Sequence, residues 1–239
     1  MKIEIIKCLQ DNYSYMIIDE KTQIACVVDP SEAAPIINFL NGKKITLKYI
    51  LNTHHHFDHI GGNIELKKKY NSEVVGFKGD RDRIPKIDTL LDDNQIWKRD
   101  NFEAKIYHIP GHTKGHIAFH FFNEKKIFTG DTLFSLGCGR IFEGTYKQMF
   151  SSLNRIKELP GNTEIYCGHE YTLKNSDFCL ANDSENTKLK EKIIKIKEKI
   201  KNNLPTLPTI LSDELECNIF LKAKDVKSFS KLRDLKDNF

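Results

Sequence analysis

Thr53-His-His-His-Phe-Asp-His-Ile-Gly-Gly62 sets four histidines and one aspartate within the six positions from His54 to His59. Imidazole and carboxylate are the side chains that hold a zinc-like ion through nitrogen and oxygen. In an extended segment, residues two apart project to the same side, so His54 and His56 converge while His55 turns away. Asp58 and His59, past the strand at a turn, supply an oxygen and a nitrogen to a second ion. Neither pair fills a shell of about four ligands, so further donors must come from elsewhere in the chain.

Three candidates have turn chemistry beside them: His112 in PGHTKGH, Asp131 in FTGDT and His169 in YCGHE. Each follows an apolar strand and adjoins glycine, as expected of a polar side chain held at the rim of a sheet. Asp131, with two oxygens, is the natural bridge between two ions. His55, His108, His116 and His120 are read as packing or surface residues, His116 as a hydrogen-bonding residue behind the site. Asp29 in VVDP is either an outer partner of a ligand or a turn cap. Cys138 is read as a small packing residue.

The rest of the chain supports a globular enzyme. Its 239 residues suffice for a large core, with 39% hydrophobic and 29% charged residues. Met1-Lys2 leads directly into a strand pattern, and no apolar run has the length of a signal or membrane segment, so a cytoplasmic protein without membrane contact is expected. Six cysteines lie scattered without a CxxC pair, which points to reduced thiols. The net charge of +4 comes with a lysine-rich run, KLKEKIIKIKEKIKNN, broken by glutamates and free of aromatics. That pattern suits a solvated helix face and argues against a nucleic-acid partner.

Short strand patterns alternate with helical ones as far as about Glu170, which gives an α/β class. Strands are predicted in KIEIIKC, NYSYMIID, QIACVVD, KYILNTH, EVVGF, KIYHIP, HIAFHFF, KKIFTGD and TEIYCGH. Helices are predicted over 33–43, 61–70 and 146–159, the second starting at a glycine pair where the backbone must turn. Beyond Glu170 strand patterns stop, and two helical segments, 174–182 and 184–203, precede a break at LPTLP. The domain division is accordingly 1–169 for catalysis and 170–239 for a helical C-terminal part.

THHHFDH, PGHTKGH, FTGD and YCGHEYT resemble, in order and spacing, the metallo-β-lactamase superfamily. QDNYSY, DTLFSLGCGRIFEGT, GHEYT and the C-terminal LPTLPTILSDELECNIFLKAKD and KLRDLKDNF extend that resemblance, over essentially the full length, to the glyoxalase II (hydroxyacylglutathione hydrolase) family. The resemblance implies a four-layered αβ/βα sandwich with a helical C-terminal subdomain. It implies two divalent ions per chain, zinc first with iron or manganese as alternatives, held by His54, His56, His112 and Asp131 and by Asp58, His59, Asp131 and His169. Asp58 and Asp131 would be the catalytic carboxylates, and Arg140, Phe142, Tyr171 and Lys222 the glutathione contacts. The implied reaction is hydrolysis of S-D-lactoylglutathione to glutathione and D-lactate by a monomer, in methylglyoxal detoxification. The alternatives are a single-iron persulfide dioxygenase or a lactonase of the same fold.

Three positions depart from the family pattern. Lys222 stands where arginine is common, which keeps the charge and loses the planar, bidentate grip on a carboxylate. Phe142 stands where some members have tyrosine, and a C-terminal cation of some members has no secure match, with Asp225 at its position and Lys224 next to it.

Overall fold

A computed structural model describes residues 1–239, which divide into two compact units: Met1–His108 with Gly115–Glu124, and Ile109–Lys114 with Lys125–Phe239. The first unit begins with strands β1 (Lys2–Cys8), β2 (Asn12–Ile18) and β3 (Ile24–Val28), then helix α1 (Ala33–Leu40) and strand β4 (Thr46–Leu51). A single helical turn, α2 (Phe57–Ile60), and helix α3 (Asn63–Tyr70) lead to β5 (Glu73–Phe77) and β6 (Thr89–Leu91). These six strands form one sheet in the order β1-β2-β3-β4-β5-β6, antiparallel from β1 to β3 and parallel from β3 to β6.

The pattern of side chains explains that sheet. The run Ala25–Val28 is fully apolar and wholly buried, as a parallel strand covered on both faces must be. Ile36 and Leu40 of α1 and Leu66 of α3 join Met16, Val27, Ile50 and Val74 in its core. The glycine pair after α2 meets a packing demand: a Cβ on Gly61 would lie 2.4 Å from the Ser31 carbonyl oxygen, and one on Gly62 2.9 Å from that of Pro30. Both residues have ordinary helical φ angles, −59° and −81°, so close approach of the backbone, not a sharp turn, demands glycine there. Strands β7 (Ile96–Arg99), β8 (Phe102–His108) and β9 (Ile117–Phe121) complete this unit as an antiparallel run.

The second unit carries β10 (Lys126–Gly130), the two-residue strands β11 (Leu133–Phe134) and β12 (Gly137–Cys138), helix α4 (Tyr146–Lys157) and β13 (Glu164–Cys167). Helices α5 (Thr172–Asn182) and α6 (Thr187–Lys201), strand β14 (Thr209–Ile210) and helices α7 (Leu211–Cys217) and α8 (Val226–Asp237) follow. β13 runs parallel to β10 and antiparallel to β14. Helix α4 starts in a capping box, the Thr145 hydroxyl accepting from the Gln148 amide while the Gln148 side chain accepts from the Thr145 amide. The lysine-rich run is α6, which buries Leu189, Ile193 and Ile196 along one stripe and leaves most of its lysines in solvent.

The C-terminal third differs from the expectation in two respects. Strand structure does not end near Glu170, because Thr209 and Ile210 pair with Ile165 and Glu164; two residues are too few to show a period. Four helices, not two, occupy the region. Both α7, at seven residues, and α8, whose buried positions include a charged one, Arg233, lack a clean apolar stripe. Asp225, at the position where some family members carry a cation, is the N-cap of α8, its carboxylate accepting from the Ser228 amide at 2.7 Å. No helix is long and apolar enough to cross a membrane.

Candidate metal centre

β4 ends at Leu51, so the histidine cluster begins in the loop beyond the strand and runs into α2. His54, His56 and His59 nonetheless converge. The His54 ring lies 4.7 Å from that of His56 and 4.2 Å from that of His59. His55 is turned away, its Nδ1 3.3 Å from the buried carboxylate of Asp80. Asp58 and His59 stand one after the other on α2, with Asp58 Oδ2 3.6 Å from His59 Nε2.

Asp29, at the end of β3, organises this set. Its carboxylate accepts from the Thr53 amide at 2.8 Å and from the Thr53 hydroxyl at 2.7 Å. A carboxylate only accepts, so His59 Nδ1, 3.0 Å from Asp29 Oδ2, carries its proton and leaves Nε2 with a lone pair. The Thr53 hydroxyl has spent its single hydrogen on Asp29, so His54 Nδ1, 3.0 Å from Thr53 Oγ1, must donate to it. One buried acid thereby sets the ligand tautomer of two histidines. By distance alone Asp29 could join His54 and His59 around an ion, since their ligand atoms lie within 4.8 Å of one another; with three donors already on its oxygens it acts as the outer partner. His116, buried, stacks on His54 with ring centres 4.6 Å apart.

Asn12, in β2, was not foreseen as a site residue. Its side-chain amide donates to the Asp58 carbonyl at 3.1 Å and to Asp58 Oδ2 at 3.0 Å, holding the acid in place. QDNYSY contains it, but the role of the amide follows only from β2 lying close enough to α2 for contact.

The second unit holds His112, Asp131 and His169 as a set of its own. Asp131 Oδ2 stands 3.5 Å from His112 Nε2 and 3.3 Å from His169 Nε2, between two imidazoles. The Arg140 carbonyl can only accept, so His112 Nδ1, 2.7 Å away, carries the proton and Nε2 is again the ligand nitrogen. Donor atoms on a tetrahedral ion with bonds of about 2.0–2.1 Å lie about 3.3–3.4 Å apart. The 3.3, 3.5 and 3.6 Å separations in the two units match that edge and exceed an ordinary N–H···O bond. The donor sets therefore fit divalent metal.

Around the second set, the Phe142 ring packs edge-on to His112 at 5.2 Å and is 62% exposed. Tyr171 stacks on His169 at 4.7 Å with an interplanar angle of 6°. The Arg140 guanidinium lies 5.9 Å from the Phe142 ring. Lys222 makes an ion pair with Asp183 at the end of α5. Cys138 is buried, and desolvation pushes its thiol up to about 11, which suits packing and not ligation. His108 stacks on Phe77 in the first unit, and burial, with Lys105 nearby, lowers His120 to about 4; neither is part of the cluster.

Comparison with known proteins agrees with this chemistry. Residues 10–169 match the model of the metallo-β-lactamase superfamily, and residues 170–239 that of the hydroxyacylglutathione hydrolase C-terminus. The chain is 64% identical to the hydroxyacylglutathione hydrolase of Pelagibacter ubique over the full length of both. It is 39% identical to that of Methylococcus capsulatus, over 100% of this chain and 99% of the relative. Among solved structures, ETHE1 from Myxococcus xanthus superposes with a TM-score of 0.75 at 22% identity, covering 98% of this chain and 90% of its own. The BLEG-1 B3 metallo-β-lactamase gives 0.72 at 22%, covering 93% and 100%. These two likenesses establish the fold alone, whereas the sequence matches run through both the histidine cluster and the C-terminal helices: the chain is an α/β metallo-β-lactamase-fold enzyme and belongs to the hydroxyacylglutathione hydrolases.

Proposed function

We propose that the chain hydrolyses S-D-lactoylglutathione, and 2-hydroxyacyl thioesters of glutathione generally, to glutathione and the free hydroxy acid. The observation that carries the reading is the placement of Asp131 between His112 and His169 at ligand spacing, in a chain related over its full length to hydroxyacylglutathione hydrolases. His54, His56, His112 and Asp131 would hold one divalent ion, and Asp58, His59, Asp131 and His169 a second. The imidazole-rich donor set suits zinc first, and iron or manganese next. When bound, such ions lower the pKa of water towards about 7 and polarise the thioester carbonyl.

The protein's own groups do the rest. Asp58, oriented by the Asn12 amide, accepts a proton as water adds to the acyl carbon and the carbon–sulfur bond breaks. The thiol leaves as a thiolate, whose conjugate acid has a pKa of about 8.5, so no strong general acid is needed. Arg140, Phe142, Tyr171 and Lys222 bind and orient the tripeptide. Residues 1–169 would then supply the hydrolytic groups, and 170–239 much of the grip on glutathione.

The test is hydrolysis of S-D-lactoylglutathione by metal-replete protein, with metal content measured on the same preparation and on Asp131→Ala. Loss of both metal and turnover in the variant is the expected result. Absence of thioester hydrolysis, with oxygen uptake on glutathione persulfide at one iron per chain, would replace this reading with a dioxygenase.

A further inference from the structure

The hydrolytic reading leaves unused a buried polar network in the second unit. Glu214, on α7, is wholly buried, an uncommon place for a carboxylate. Its Oε1 accepts from Lys192 Nζ at 2.7 Å and from the Thr209 hydroxyl at 2.6 Å. Its Oε2 accepts from the Leu136 amide at 2.7 Å and from Asn218 Nδ2 at 3.0 Å. Lys192 belongs to the lysine-rich run of α6, yet its side chain is only 13% exposed. Asn218, wholly buried as well, also donates to the Gly137 carbonyl at 3.1 Å, with the Phe134 carbonyl at 3.4 Å.

The acid and the amide thus converge on one feature, the turn between β11 and β12. That turn is strained, because Leu136 has a φ of +58°, in the left-handed region that suits glycine or asparagine. Such a residue persists only where its surroundings over-determine it. Here Glu214 takes the Leu136 amide, Cys179 Sγ donates to the Leu136 carbonyl at 3.1 Å, and Asn175 Nδ2 donates to the Ser135 carbonyl at 3.1 Å. Helices α5 and α7, and not the turn's own residues, supply these partners.

The ends of the same hairpin lie at the metal ligands. Asp131 stands two residues before β11 and Arg140 two residues after β12, and the Arg140 carbonyl accepts from His112 Nδ1 at 2.7 Å. The Gly139 amide donates to the Thr132 carbonyl at 3.2 Å and ties the two ends together. There is no slack between them: a Cβ on Gly139 would lie 1.8 Å from the Asp131 carbonyl oxygen and 3.3 Å from His112 Nδ1. A hairpin that shifts at its turn therefore moves one ligand and the acceptor that orients another.

We propose that Glu214 and Asn218 are positioning residues for the metal centre: by fixing the β11–β12 turn they hold Asp131 and His112 at ligand spacing. The C-terminal helices then serve the hydrolytic site as well as the grip on glutathione. Because this rests on Asp131 and His112 being ligands, a ligand variant is measured alongside.

Zinc affinity of the full chain would be measured by competition with a chromophoric chelator, beside unfolding in denaturant. Glu214→Met fills the space but accepts nothing, and should lower affinity about tenfold, the lower end for outer partners. Glu214→Gln can keep its oxygen on Leu136 and Asn218 and turn its NH2 to Thr209, whose hydroxyl also accepts, so affinity should stay within about twofold. Lys192→Met leaves the Glu214 charge buried without its cation but keeps every contact to the turn; stability should fall while affinity stays within about twofold. In zinc-loaded, isotope-labelled protein, the His112 Nδ1 proton should exchange several-fold faster with water in Glu214→Met and at the parental rate in Lys192→Met.

Parental zinc affinity in Glu214→Met would overturn the proposal, as would equal losses in Glu214→Met and Lys192→Met, which would reduce the network to stability alone. Should Glu214→Met not fold, Asn218→Ala carries the same expectation, since Glu214 still takes the Leu136 amide, and parental affinity there is equally fatal. Parental affinity in His112→Ala would remove the ligand assignment itself, and the proposal with it.

Discussion

Asp29→Asn changes one buried atom and should weaken metal binding without touching a ligand. The carboxylate accepts three hydrogens in the first unit: from the Thr53 amide at 2.8 Å, the Thr53 hydroxyl at 2.7 Å and His59 Nδ1 at 3.0 Å. An asparagine has one oxygen for these places. If that oxygen stays with the Thr53 amide, the NH2 group faces the Thr53 hydroxyl and His59. His59 can then avoid a clash of donors only by moving its proton to Nε2, the ligand atom. The Thr53 hydroxyl turns with it and drives His54 to the same tautomer.

If the amide flips, both histidines keep the ligand tautomer and the buried Thr53 N–H is left facing NH2, at about 1–3 kcal/mol. Without metal the protein can choose the first arrangement, whereas ligation requires the second. The difference therefore falls on binding, and affinity should drop about 10- to 100-fold, in line with other outer-partner changes. Competition for zinc against a chromophoric chelator at pH 7.5 to 8, about one unit above the ordinary histidine pKa, measures it directly. Affinity within about twofold of the parent, even with a lower melting temperature, would refute the tautomer argument.

Lys222→Ala should raise KM for the glutathione thioester with little change in kcat, since the residue lies in an ion pair with Asp183 and not in the ligand sets; an equal loss in kcat would show that it does more than bind. Gly139→Ala should unfold the protein or abolish metal uptake, because the added Cβ would stand 1.8 Å from the Asp131 carbonyl oxygen; a stable, metal-loaded variant would contradict the packing. His120, lowered to about 4 from its ordinary 6.5 by desolvation, favours the neutral folded state. Its stabilisation is full above about pH 6.5 and is lost as pH falls through about 4, so denaturant titrations of His120→Asn should show a flatter decline over that window.

Much of the first unit was legible because its parallel strands are short apolar runs and its histidines lie in one contiguous stretch. His112, Asp131 and His169 were legible as well, each beside glycine after an apolar strand. Asn12 was not. An amide in a strand carries no local mark of function, and its partner Asp58 lies 46 residues away. The two-residue strand β14 was equally hidden, since pairing with β13 defines it and no periodicity can.

By itself, then, the sequence determined the α/β class and the family, and it offered the candidate side chains for metal. Its reading of His55 as turned away rested on strand alternation, whereas the cluster lies in a loop beyond β4, where His55 faces the carboxylate of Asp80. Only the folded chain decided which nitrogen of His54, His59 and His112 bears the proton, since that depends on Asp29, which engages the Thr53 hydroxyl and His59, and on the Arg140 carbonyl, both in distant segments. It also decided that Asp29 is an outer partner of the histidines and that Asp225 caps a helix. Apart from the Asp225 cap, whose partner Ser228 is three residues on, each of these is a matter of distances between groups far apart in the chain, which residue order alone does not encode.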